Sequence, residues 1–101
     1  MAAPLEHAEF AKHVNTTFRI RLNERETLPA ELTEISEHMV SPQQERFWIV
    51  FKTSNEVLLG QGLRSVEHDA MGNFDLFLVP MSRDEQGTYY EAVFNHLTNK
   101  S

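Results

Sequence analysis

From Val14 onward, hydrophobic and polar positions alternate with a period of two. Val14, Thr16, Phe18, Ile20 and Leu22 fall on one side, and Asn15, Thr17, Arg19 and Arg21 on the other. That is the pattern of a half-buried strand over residues 14–22. Leu28-Pro29 interrupts it, and residues 31–40 predict a second strand. Within that strand the three-residue spacing of Leu32 and Ile35 fits either a β-bulge or one turn of helix. After the loop Ser41-Pro42-Gln43-Gln44, the contiguous run Phe47-Trp48-Ile49-Val50-Phe51 predicts a strand at 45–53 buried on both faces.

Ser54-Asn55-Glu56 reads as a tight turn that returns residues 57–67 as a hairpin partner. Gly60-Gln61-Gly62 within that partner fits a bulge or a barrel corner. Two aromatic-rich and aliphatic-rich runs, 73–81 and 88–95, flank a polar turn ending at Gln86-Gly87 and predict a final hairpin. A single helix is expected at 4–12. Pro4 suits the first helical turn, and Leu5, Ala8 and Ala11 or Lys12 follow at helical spacing. Asn15 stands where the chain leaves that helix, a place for a residue that tolerates left-handed backbone angles.

These elements predict an all-β domain with one short N-terminal helix. Its expected form is a compact six-stranded antiparallel meander closing into a small β-barrel, a single domain over residues 1–101. The chain of 101 residues is long enough for one modest core without staples, and it contains no cysteine to form them. Residues 1–7 combine no basic start with an apolar run, so no secretory signal is expected. No stretch reaches the roughly 20 apolar residues of a membrane-spanning helix. A cytoplasmic protein without a membrane partner is the expectation.

The net charge of -6 argues against a phosphate-backbone partner, so no nucleic acid is expected. Arg19, Arg21 and Arg25 alternate beside Glu24 and Glu26, which fits a solvated face. Glu67-His68-Asp69 is the densest run of candidate ligands. On a strand, however, Glu67 and Asp69 share one face and His68 takes the other. The histidines His7, His13, His38, His68 and His96 show no His-x-x-x-His or Glu-x-x-His spacing, so neither a metal nor a cofactor is expected. No serine has a Gly-x-Ser-x-Gly setting. Glu91, set between Tyr89-Tyr90 and Ala92-Val93-Phe94, needs a cation or several donors if buried; Arg19, Arg64 or backbone amides are the candidates.

One set of positions resembles a known family. Gln61-Gly62, Glu67-His68, Gly72, Leu76-Phe77-Leu78-Val79-Pro80, Gly87 and Tyr90-Glu91-Ala92-Val93-Phe94-Asn95 together look like an uncharacterised bacterial family of short single-domain β proteins, a domain of unknown function. The resemblance covers nearly the whole chain, including an N-terminal Phe-rich helix, and implies a fold rather than an activity. Asn15 stands where that family often carries glycine. Members encountered near phage-tail-like genes imply an assembly or virion-associated role.

The leading expectation is therefore a non-enzymatic protein-interaction or structural module, with a protein partner or a homodimer. If Phe18, Ile20, Phe47, Ile49, Phe51, Leu76 and Leu78 line the barrel, then Trp48, Val50, Phe77, Val79, Tyr90 and Phe94 face outward. The first five of these form a candidate interaction surface. The rival is a small-molecule-binding barrel or a small enzyme using Glu91 and His68. A filled interior favours the first reading and a large polar cavity the second.

Overall fold

The computed structural model describes residues 6–97, with side chains described through residue 95. After the helix α1 (His7–Ala11) come seven strands: β1 (Thr17–Arg21), β2 (Thr27–Ile35), β3 (Met39–Val40), β4 (Gln44–Thr53), β5 (Gly62–His68), β6 (Gly72–Asp84) and β7 (Gly87–Leu97). All pairings are antiparallel. The β2–β4 pairing joins the two ends of the order β2-β1-β5-β6-β7-β4 into a six-stranded barrel, with β3 as one extra strand on β4.

The expected barrel is present, but one link departs from a simple meander. β4 does not turn back onto the next strand. Its edge is taken by β7 in a ladder running from Gln44 opposite Leu97 to Thr53 opposite Thr88. The chain instead crosses from β4 to β5, which lies beside β1 through Arg19–Glu67 and Ile20–Val66. Two three-stranded units, β1-β2-β4 and β5-β6-β7, thus close on each other. The crossing is fixed by packing rather than by turn chemistry. Val57 and Leu59 lie against the core, and Leu59 N–H donates to the Tyr90 hydroxyl at 2.9 Å. Gly60 and Gly62 have no positive φ and open space where a Cβ would stand, so no barrel corner depends on them. The glycines the backbone requires are Gly87, whose Cβ would collide with the Thr53 carbonyl oxygen, and Gly72, at φ 84° in the turn before β6.

Several local expectations differ in instructive ways. Pro29 does not end a strand. It lies inside β2 opposite Arg19, and the β2–β4 ladder begins only at Ala30, so its missing N–H faces no partner there. The Leu32/Ile35 spacing resolves as a bulge: Leu32 pairs with Phe51 but Glu34 with Val50, leaving Thr33 extra. Residues 31–40 then divide between β2 and β3. The final hairpin is longer than expected, because Met81 is absorbed as a bulge between Pro80 and Ser82 and pairing continues to Asp84 opposite Gly87. Asp84 Oδ1 closes that turn by accepting the N–H groups of Gln86 and Gly87 at 2.8 and 3.1 Å.

Asn15 adopts φ 70°, as a helix-to-strand junction requires. Its N–H donates to the Leu32 carbonyl at 2.7 Å, locking the junction to β2. Helix α1 is only five residues long and has no side-chain cap. Its predicted start at Pro4 and Leu5 lies outside the described residues. Ala8 and Ala11 are exposed, and the helix is anchored instead by Phe10, which is fully buried. The Phe10 ring lies 5.3 Å from Phe94, 5.9 Å from Phe74, 6.2 Å from Phe47 and 6.3 Å from Phe18. The β6–β7 ladder stops at Val79 opposite Glu91, and beyond that point Phe74 and Phe94 close on Phe10 rather than strand on strand. Burial of each such ring contributes about 1.5 to 3 kcal/mol, which is how so short a helix is held. The positions expected inside, Phe18, Ile20, Phe47, Ile49, Phe51, Leu76 and Leu78, are all buried.

Candidate functional site

The outer wall of the barrel has two unlike halves. On β1 and β5 it is charged and internally satisfied. Arg19 and Glu67 are register partners, and Arg21 Nε donates to Glu67 Oε2 at 2.8 Å. The Arg21 guanidinium also donates to the carbonyls of Asn23 and Glu24. Arg19 bridges to Glu67 at 3.4 Å and to Asp69 at 3.0 Å. The hydrogen bond from Arg21, with help from Arg19, holds the Glu67 carboxyl below the usual carboxylate range, against a smaller opposing effect of burial. An open cleft of about 400 Å³ lies here, lined by Arg21, Ser65, Glu67, Asn73 and Asp75 among others. Its polar groups are tied to one another, Ser65 Oγ donating to Asp75 Oδ1 at 3.0 Å.

His68 faces the other way, as strand alternation requires. It is buried, and its ring lies 4.1 Å from Phe18 and 4.6 Å from His13. Nδ1 accepts the N–H groups of Ala70 and Met71 at 3.1 and 3.2 Å, closing the turn before β6. With Nδ1 so occupied, the proton belongs on Nε2, which donates to Thr16 Oγ1 at 3.0 Å. The Thr16 hydroxyl in turn donates to the His13 carbonyl at 2.6 Å. Burial lowers the His68 pKa, as does the neighbouring His13, while Asp69 works in the opposite direction. These contacts make His68 a neutral, fully engaged turn closure.

Glu91 is on the opposite side of the wall from His68. Its neighbours Tyr90 and Ala92 are buried and it is half-exposed on the outside of β7. None of the expected partners reaches it. Arg19 is held by Glu67 and Asp69, and Arg64 donates to the Gly60 carbonyl. Among the described residues, Glu91 makes no hydrogen bond or ion pair. The fold therefore does not assemble Glu91 and His68 into one polar site. Nor do three or more His, Asp or Glu side chains among the described residues converge to hold a metal. His7 and His38 stack at 5.0 Å beside Phe47, with His7 Nε2 donating to the Ser36 carbonyl.

The second half of the outer wall, on β4, β5, β6 and β7, is apolar. Trp48 stands opposite Val93, Leu63 opposite Phe77, and Glu91 has Val50 on one side and Val79 on the other. Leu63 is 67% exposed, Val93 54% and Phe77 51%; Trp48 and Val79 are half-buried. Val50 is buried, yet it stands outside the core cluster. Two residues expected on this face are instead inside. Tyr90 is fully buried with its hydroxyl satisfied by Leu59, and Phe94 packs against Phe10 and Phe47. The run Tyr89 to Asn95 alternates strictly, and a reading of it as apolar on both sides put the aromatics on the wrong one. Leu63 and Val93 were missed; their signal was strand parity, which places Leu63 on the side of Ser65 and Glu67, away from Val66, and Val93 on the side away from Ala92 and Phe94.

A family model described as a domain of unknown function (DUF6916) matches residues 5–94. The chain belongs to that family. The match takes in both halves of the outer wall, the Phe10 plug and the engaged His68. No curated protein and no solved structure matches the chain.

Proposed function

We propose that this DUF6916 member is a non-enzymatic protein-interaction module, a building block of a larger assembly such as a phage-tail-like particle, working in the bacterial cytoplasm. One observation carries the reading: the apolar outer face formed by Leu63, Phe77, Val79, Val93 and Trp48, exposed on a barrel whose own helix plugs a different opening. Exposed apolar surface of this kind marks interaction sites, and a tryptophan within it is a natural anchor. The rival reading, a ligand-binding barrel or an enzyme using Glu91 and His68, is disfavoured. Stacked Phe rings occupy the interior beside Phe10, and the two residues lie on opposite sides of the wall.

No helix among the described residues is long and apolar enough to cross a membrane. Photo-crosslinking amino acids placed at Phe77 and Val93, with a control at Arg25, test the reading in cells of the source organism. Covalent adducts with protein are expected from the first two positions and not from the third. Equal labelling at all three, or none at Phe77 and Val93, would overturn it.

A further inference from the structure

The apolar face is not uniformly uncharged, and its charges are arranged in a particular way. Glu91 lies at its centre, flanked by Val50 and Val79. On β4 the same face carries Arg46 and Lys52, opposite Asn95 and Tyr89 of β7, with Glu31 of β2 the register partner of Lys52 on its other side but not bonded to it. Among the described residues none of Glu91, Arg46 and Lys52 has an ion pair or hydrogen bond. The Lys52 stem runs along the backbone at Gly87, two residues before Tyr89 on β7, and so away from Glu91. A half-buried carboxylate without a donor is unfavourable in the monomer. Covering the apolar face would remove the remaining water from Glu91 and make it worse unless the covering surface brings a cation.

The face itself supplies such a cation, half-buried and one row from Glu91 along the strands. A surface holding both an unpaired anion and an unpaired cation is complementary to itself. Under a two-fold axis lying in the plane of the contact, each Glu91 meets the other copy's Lys52, so every favourable pair occurs twice. We infer that the occupant of this face is a second copy of the chain, in an isologous face-to-face dimer with Glu91–Lys52 pairs between copies about its axis and Trp48 and Val93 in the apolar contact beside them. This inference rests on reading the face as an interaction surface, and it goes further by naming the partner. The other half of the wall offers no such option, because Glu67 already has Arg19 and Arg21.

Sedimentation equilibrium over a concentration series, at low and at physiological ionic strength, tests it on four chains: wild type, Glu91→Lys, Lys52→Glu and the double exchange. The wild type is expected to dimerise. Each single exchange brings like charges together and should weaken association at least tenfold, and the double exchange should restore it to within a few-fold of wild type. Cooperative thermal melts of the dilute variants, all substituted outside the core, show that each still folds, the Lys52→Glu melt being lowered by its register partner Glu31. A wild type that stays monomeric up to millimolar protein overturns the inference. So do single exchanges without effect, or a double exchange that does not recover. If the chain is monomeric while Phe77 and Val93 still crosslink to a different protein, the second copy is excluded and the interaction face stands. If neither association nor crosslinking occurs, both fail.

Discussion

The β1–β5 half of the outer wall and the β4–β7 half share one backbone architecture and the same in-out alternation, but their carboxylates have opposite situations. Glu67 has two guanidiniums and a lowered pKa. Glu91 sits between two valines with no partner among the described residues. Where a fold completes its own polar contacts, the surface is finished in the monomer. Where it leaves a half-exposed carboxylate unpaired within apolar surface, only water solvates it in the monomer, and a covering surface would have to supply a cation. The contrast supports the proposed interaction face by its unfinished chemistry as much as by its hydrophobicity.

The largest expected effect separates the inside of the wall from its apolar outside. Phe94 and Phe77 are both aromatic residues of the final hairpin, but Phe94 stacks on Phe47 at 4.5 Å and touches Phe10, whereas Phe77 is half-exposed. Phe94→Ala should cost about 3 to 5 kcal/mol through the cavity it leaves. Phe77→Ala should cost less than about 1 kcal/mol in the monomer. Denaturant melts on dilute protein measure both. Equal losses would mean that the face is closed by the chain's own packing, and the comparison between halves would lose its basis.

How much of this was legible in the sequence follows from which forces act locally. β1 was readable because Phe18 and Ile20 alternate cleanly with Arg19 and Arg21, and one face is buried. The bulge after Leu32 was readable as a break in that period. The β4–β5 crossing was not, because Ser54-Asn55-Glu56 has the local chemistry of a turn in either topology. What decides is β7, which begins only at Gly87 and takes the edge of β4 along its whole length. Asn55 shows the outcome: its side chain donates to the Asp84 carbonyl and accepts from Thr88, both in the final hairpin. Phe10 was hidden for a related reason. Five helical residues carry too little periodicity to mark one ring as an anchor, and the four rings that receive it come from four different strands. At the candidate face, alternation was sufficient for Trp48 and Phe77, but contiguous aromatics in Tyr89-Tyr90 obscured which side Tyr90 takes.

A smaller effect is expected from pH, and it falls on the charged half and its strand β5. Burial and His13 lower the His68 pKa, so the unfolded chain takes up that proton before the folded one. The corresponding stability is fully present above about pH 6.5 and is lost as pH falls through that value toward the lower folded pKa. Glu67 follows the same sign further down. Its lowered pKa gives stability present above the ordinary glutamate value of 4.5 and lost as pH falls below it. Thermal melts between neutral and acid pH should show both declines, and Arg21→Ala should blunt the second. An NMR titration of His68 that gave a pKa above the ordinary histidine value would contradict the neutral turn closure and the tautomer assigned to it.

The smallest effect bears most directly on the two carboxylates. Arg21→Ala removes the main partner of Glu67 and should destabilise the monomer slightly, as loss of a solvent-screened ion pair does. Glu91→Val removes a carboxylate that has no partner and places a β-branched side chain beside Val50 and Val79. Strand propensity and cross-strand packing then favour the variant by a few tenths of a kcal/mol, up to about 1 kcal/mol. The two substitutions should thus move the melt of dilute protein in opposite directions. The sign matters more than the size. If Glu91→Val destabilises the monomer as Arg21→Ala does, then Glu91 has a partner within its own chain, the two halves of the wall are alike, and nothing in its charge calls for a second surface.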